Sequence, residues 1–191
     1  MTDNAFSLLD DVHIVLLRPR WARNLGSVAR AMKNFGLHQL TIVDSQIGSW
    51  NDAYQMAVQA NDILDDSTTT DLTTALSKSK WVVGTSNEPP PGTRVMTPRE
   101  VAELAQERGA PTLLFGGEIN GLDPAELLRC QVVSVVPTAS EQSSLNLSQA
   151  VGIYGAELYA GCAQRAKAAS PPSNQVIAGA PLASTEMLQR V

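Results

Sequence analysis

Five short aliphatic or β-branched runs, at residues 12–17, 40–43, 81–84, 112–115 and 132–136, alternate along the chain with stretches of helical periodicity. This alternation restricts the fold more than any other feature. Parallel neighbours need a crossover, which a helix supplies, and strands covered on both faces read as unbroken apolar runs. The expected class is therefore α/β, a mostly parallel sheet flanked by helices. The first helical stretch is opened by Asn24, a good N-cap, and closed by Gly36. Leu25, Val28, Ala29, Met32 and Phe35 form its apolar face. Further helices are expected at 53–60, 72–79, 98–108, 124–129 and 147–165, the last with Leu147, Ala150, Val151, Tyr154 and Leu158 on one face. Residues 1–165 are expected to form one domain. The Ala/Ser/Pro-rich stretch 166–191 reads as a flexible tail or the start of a C-terminal extension.

Composition removes several classes of function. With 43% apolar and 17% charged residues among 191, the chain can bury a core. No apolar run reaches the roughly 18 residues of a membrane span. Asp3, Asp10 and Asp11 stand where a secretory signal carries basic residues. Cys130, Cys162, His13 and His38 are too few for a disulfide framework or a thiolate zinc site. A reduced, cytoplasmic, metal-free protein is expected. Cys130 reads as a small hydrophobe.

The charges are unevenly placed. The chain is −5 overall, yet Arg18, Arg20, Arg23, Arg30 and Lys33 fall between residues 12 and 43 without one carboxylate among them. Such a cluster on an acidic body marks a candidate anion-binding face. If all five touched phosphate, log affinity would fall against log salt with a slope of about −3.5.

Neither G-x-G-x-x-G nor a phosphate loop ending in G-K-[ST] is present, and no G-x-S-x-G elbow surrounds Ser143 or Ser144. A serine hydrolase is therefore disfavoured. Polar residues gather instead at the C-terminal ends of expected strands, where open α/β sheets bind ligands. Three segments stand out: Asn24-Leu-Gly-Ser-Val-Ala-Arg30-Ala-Met-Lys33-Asn-Phe-Gly36, Phe115-Gly-Gly-Glu118-Ile-Asn-Gly121-Leu-Asp, and Val136-Pro-Thr-Ala-Ser-Glu-Gln-Ser143-Ser144-Leu145-Asn146-Leu147. In the first, Gly26 beside Arg30 reads as room for a ligand to approach the backbone.

In this order the three segments resemble the SpoU/TrmH family of SPOUT-class RNA methyltransferases, over roughly residues 12–158. The Ser-Val-Ala-Arg-Ala-Met-Lys and Ser-Ser-Leu-Asn-Leu stretches are most similar to the branch that methylates the ribose of tRNA nucleotide 32. The resemblance implies a C-terminal trefoil knot, a homodimer with its active site near the subunit junction, and S-adenosylmethionine as methyl donor. It places cofactor contacts on Thr85, Ser86, Asn87, Gly116, Val136, Ser143, Ser144 and Leu145. It gives Arg30 the central catalytic role, with Asn24, Glu118, Ser144 and Asn146 orienting it, the ribose and the cofactor. Because arginine stays protonated, the expected role of Arg30 is to hold the adjacent phosphate and acidify the hydroxyl. It makes Arg18, Arg20, Arg23, Arg30 and Lys33 the expected RNA-binding residues. The alternatives are an rRNA substrate or a non-catalytic RNA-binding relative.

Overall fold

All five expected strands form, and two short ones join them at the sheet edges. The computed structural model describes residues 5–169. In chain order the elements are α1 (Ser7–Asp10), β1 (His13–Leu17), α2 (Ala22–Asn34), β2 (Gln39–Val43), α3 (Asn51–Ala57), α4 (Asn61–Asp65), β3 (Thr68–Thr70) and α5 (Leu72–Leu76). They continue with β4 (Val82–Thr85), β5 (Val95–Met96), α6 (Pro98–Arg108), β6 (Thr112–Gly116), α7 (Pro124–Leu127), β7 (Val132–Ser134) and α8 (Leu147–Ala169). The strands lie in the order β3-β2-β1-β6-β4-β7-β5, and every pairing is parallel. The two unexpected strands, β3 and β5, are three and two residues long, too short to show a period.

Period-two alternation sends successive side chains of β1 to opposite layers. Ile14 and Leu16 join the larger core with Leu25 and Met32 of α2, Ala53 of α3, Val101 of α6 and Tyr154 of α8. Val15 and Leu17 join the smaller core with Ala75 of α5 and Leu127 of α7. Because all strands are parallel, their C-terminal ends share one edge: Leu17 lies beside Val43 and Gly116, and Thr85 beside Ser134. That edge is where a ligand site belongs.

Helix α2 starts three residues earlier than a cap at Asn24 implies, and Asn24 is not its N-cap. Trp21 occupies that position and no side chain of its own caps the helix. Its end is as expected. Gly36, at φ 68°, donates to Lys33 O while Leu37 N–H donates to Met32 O, a Schellman closure that needs the left-handed residue. Cys130 is half-buried against the smaller core, where burial pushes its thiol up to about 11. Helix α8 runs to Ala169, four residues past the expected domain boundary, and the rest of the expected tail lies outside the described residues. No helix among the described residues is long and apolar enough to cross a membrane.

Gly26 serves helix packing and not ligand approach. It is buried, and a Cβ there would stand 2.1 Å from the Ala53 carbonyl oxygen of α3. We expect Gly26→Ala to lower stability by about 1–3 kcal/mol as α2 and α3 are forced apart. Gly48→Ala, with nothing within 4 Å, is expected to be near neutral. Chemical denaturation of both variants checks the contrast.

Candidate functional site

The ends of β4, β6 and β7 and the turn after β1 open on a cleft of about 580 Å³. Thr85, Ser86, Asn87, Gly116, Val136, Ser143, Ser144 and Leu145 all line it, as do Asn24, Glu118 and Asn146. The three segments singled out in the sequence therefore meet, although Asn24 and Asn146 are 122 positions apart. Phe115, Leu147, Ala150 and Tyr154 add an apolar floor, so α8 contributes to the cleft as well as to the core.

A run of hydrogen bonds ties the segments together. Glu118 Oε2 accepts the Arg20 N–H at 2.9 Å, while Oε1 accepts the Asn24 amide at 2.9 Å and, more distantly, the Trp21 N–H. This carboxylate ties the turn ahead of α2 to the Asn24 side chain in its first turn, at the end where the helix dipole favours an anion. Asn146 Nδ2 donates to Asn24 Oδ1 at 3.0 Å, and Asn146 Oδ1 accepts the backbone N–H and hydroxyl of Ser148. Asn146 thus caps α8, and Gln149 accepts the Asn146 N–H in return. The direction of the run is set by its ends. A carboxylate only accepts and a backbone N–H only donates, so neither asparagine amide can flip. Each amide keeps one uncommitted N–H to offer a ligand. Ser144 Oγ accepts from Gln142 Nε2 at 3.1 Å, which leaves its own O–H to donate.

The glycines of the second segment are demanded by backbone proximity. A Cβ on Gly116 would lie 2.0 Å from the Gly121 carbonyl carbon, and one on Gly117 would lie 2.3 Å from Arg18 O. Gly121, at φ 61°, donates to Gly117 O and closes the loop. Arg18 itself is left-handed at φ 56°, an unusual state for a side-chain-bearing residue. Its guanidinium forms a two-pronged pair with Glu126, one contact at 2.9 Å, and this partner holds its pKa above the ordinary value. Glu126 is nearly buried and also accepts Asp123 N–H in the capping box of α7.

The five cations expected to bind RNA differ in what they contact within the chain. Arg18 is committed to Glu126 and Lys33 is paired with Asp62. Arg20, Arg23 and Arg30 are exposed and make no ion pair among the described residues. Arg30 lies on the solvent face of α2 and is not part of the cleft lining within its own chain.

The lining fits a ligand of nucleoside size with uncharged or zwitterionic groups. It offers hydroxyls and amides on one side and aliphatic or aromatic carbon on the other. Tyr154, 1% exposed, contributes a hydroxyl without a hydrogen bond of acceptable geometry. Burial pushes that phenol up to about 12, with the nearby Ser134 hydroxyl drawing it partly back. A buried, under-satisfied hydroxyl at the wall of a cleft is a group a ligand can satisfy. No group of three or more His, Cys, Asp or Glu that could hold a metal occurs among the described residues.

Comparison with known proteins agrees with this geometry. The profile of the SpoU rRNA Methylase family matches residues 11–156. The tRNA (cytidine-2′-O-)-methyltransferase TrmJ of Methanocaldococcus jannaschii is 32% identical over 154 residues, covering 78% of this chain and 67% of the relative. The tRNA (cytidine/uridine/adenosine-2′-O-)-methyltransferase TrmJ of Pseudomonas aeruginosa is 39% identical over 155 residues, covering 76% and 59%. The crystal structure of TrmJ from Z. mobilis superposes with a TM-score of 0.73 at 32% identity, covering 78% of this chain and 68% of that one.

The relay makes a signed prediction. Asn24→Asp would set a second carboxylate against Glu118 at the 2.9 Å contact while keeping an acceptor for Asn146, whereas Asn24→Ala deletes both bonds. We expect the aspartate variant to melt lower than the alanine variant at pH 7.5. The gap should close as pH falls through the carboxylate range, about 4, where the pair can share a proton. Thermal unfolding at the two pH values checks it.

Proposed function

This chain belongs to the SpoU methylase family, and on that premise we propose that it transfers a methyl group from S-adenosylmethionine to a ribose 2′-hydroxyl of tRNA. The target proposed is anticodon-loop nucleotide 32. One observation carries the reading: every residue to which the family resemblance gave a cofactor contact lines a single cleft, next to the Glu118–Asn24–Asn146 relay. The trefoil knot belongs to the same proposal. It is supported by the way the ends of β4, β6 and β7 and the start of α8 converge on that cleft.

When bound, S-adenosylmethionine supplies an electrophilic methyl on a sulfonium. The residues of the chain supply orientation and charge. Thr85, Ser86 and Asn87 present polar groups along one wall, and Gly116, Val136 and Leu145 bring backbone and aliphatic carbon close on the others. Asn24, Asn146 and Ser144 hold their remaining donors toward the ribose oxygens, which raises the population of in-line geometry. Glu118 has its oxygens filled by three N–H donors, so it positions Asn24 and is not a base. The remaining requirement is a cation against the phosphate beside the reacting hydroxyl, lowering the cost of losing its proton to that phosphate or to water. Arg30 is outside its own chain's cleft, so in this reading the protein is a homodimer in which each Arg30 serves the other subunit's cleft.

Two outcomes are expected. Arg30→Ala and Ser144→Ala should each be inactive in methyl transfer to tRNA while the first still binds S-adenosylmethionine in calorimetry. Mixing the two after dissociation and reassociation should restore up to about a quarter of parental activity, from heterodimers that hold one complete site. A mixture as inactive as its parts would overturn the shared-site reading. Because, of the five clustered cations, only Arg20, Arg23 and Arg30 form no ion pair among the described residues, log affinity for tRNA should fall against log salt with a slope near −2, not the −3.5 of five contacts, about 0.7 per phosphate. Filter binding between 50 and 200 mM salt measures it.

A further inference from the structure

Trp21 is 50% exposed although it is one of the three tryptophans of an aromatic-poor chain. Its backbone is fixed. It sits at the N-cap of α2, with its N–H and that of Arg20 directed at Glu118. Its side chain forms no ring pair among the described residues, unlike Phe6, Phe35, Phe115, Tyr154 and Tyr159. A rigid stem carrying an unpartnered indole is a prepared contact surface, since little entropy is lost when something settles on it.

The surroundings say what that something is. Trp21 and Asn24 line the methyl-donor cleft, and both also line a neighbouring groove of about 420 Å³. Its lining carries Arg20 and Arg23 from around the start of α2, and Ile47, Ser49 and Asp52 from the segment that runs into α3. Two arginines beside an indole in the sequence suit a flat π-system followed by phosphates. Asp52 in the same lining disfavours a phosphate inside the groove, and a carboxylate can accept from an exocyclic amino group of the kind cytosine and adenine carry. An unpaired base of RNA meets all of these conditions at once.

We propose that Trp21 is the stacking platform for an unpaired nucleobase of the RNA substrate, adjacent to the nucleotide whose ribose enters the cleft, with Arg20 and Arg23 on the flanking phosphates. This rests on the RNA methyltransferase reading above and adds a recognition residue to it. Stacking on protein aromatics is the usual route to single-stranded RNA, because splayed bases expose a π-face whatever their sequence.

The test uses the full chain with tRNA and with a short unstructured oligonucleotide of the anticodon-loop sequence. Trp21→Leu keeps an apolar side chain but removes the flat face, and Trp21→Phe keeps a smaller one. We expect Trp21→Leu to weaken binding of both RNAs about tenfold or more, with Trp21→Phe in between. Thermal unfolding of both variants should match the parent's, since the indole is half exposed and a loss of RNA binding is then not a loss of folding. Oligonucleotide should quench the parent's tryptophan emission, and Trp21→Phe, which retains Trp50 and Trp81, should lose most of that quenching. Parental RNA affinity in Trp21→Leu overturns the platform and leaves the enzymatic reading standing. Failure of the parent to bind RNA overturns both. A Trp21→Leu chain that changes its sedimentation from dimer to monomer at unchanged RNA affinity gives this face to a second copy and overturns the proposal.

Discussion

The site depends on the carboxylate of Glu118 reaching the uncapped start of α2. Glu118 belongs to the loop after β6, whereas α2 follows β1, and these strands are neighbours in register, Leu17 beside Gly116. The carboxylate accepts the N–H groups of Arg20 and Trp21, just ahead of the first turn, and the Asn24 amide within it, at the end of the helix that favours an anion. The same carboxylate fixes Asn24, which fixes Asn146, which caps α8. One acceptor therefore determines where two helices begin relative to each other and which way two amides point. Removing it would leave each part foldable and the set unaligned.

This arrangement needs backbones closer together than side chains permit. The loop at Gly116 and Gly117 lies against its own return strand on one side and against Arg18 on the other, with no room for a Cβ at either position. Arg18 in turn adopts a left-handed backbone, which costs of order 1 kcal/mol or more. Its pairing with the nearly buried Glu126 offsets that cost and anchors α7 beneath the loop. The strain thus sits next to the cleft and is held by a charge pair just outside it.

Much of the scaffold was legible in the sequence because it follows from periodicity. The run at 98–108 became α6 without change, since Thr97, Pro98 and Glu100 form a capping box with proline in the first turn. The sheet edges were not legible, as Thr68–Thr70 and Val95–Met96 are too short to show alternation. Asn24 is not the cap because its side chain is taken by Glu118, 94 positions away, and by Asn146, which local propensity cannot reveal. Gly26 was misread for a similar reason: its neighbour is the Ala53 carbonyl, on a different helix. The cleft lining was accessible through the family resemblance, not through spacing. Trp21 carried a signal that was passed over, an aromatic residue between Arg20 and Arg23.

The division of the cations shows how an acidic chain can present a face to a polyanion. Net charge acts at long range, but salt screens exposed charges beyond roughly 8–10 Å, so a bound phosphate responds to the nearest few groups. Arg23, Ser27 and Arg30 recur at spacings of four and three and so share one stripe of α2, with Arg20 just ahead of its start. Arg18 and Lys33, at the two ends of the cluster, are consumed in holding α7 and α4. The five cations of the sequence therefore separate into two that are ion-paired within the described residues and three that are not. Counting charges along the chain cannot make that separation, because it depends on which carboxylates the fold brings near. Glu126 lies 108 positions from Arg18, and only the juxtaposition of β1 and β6 makes them partners.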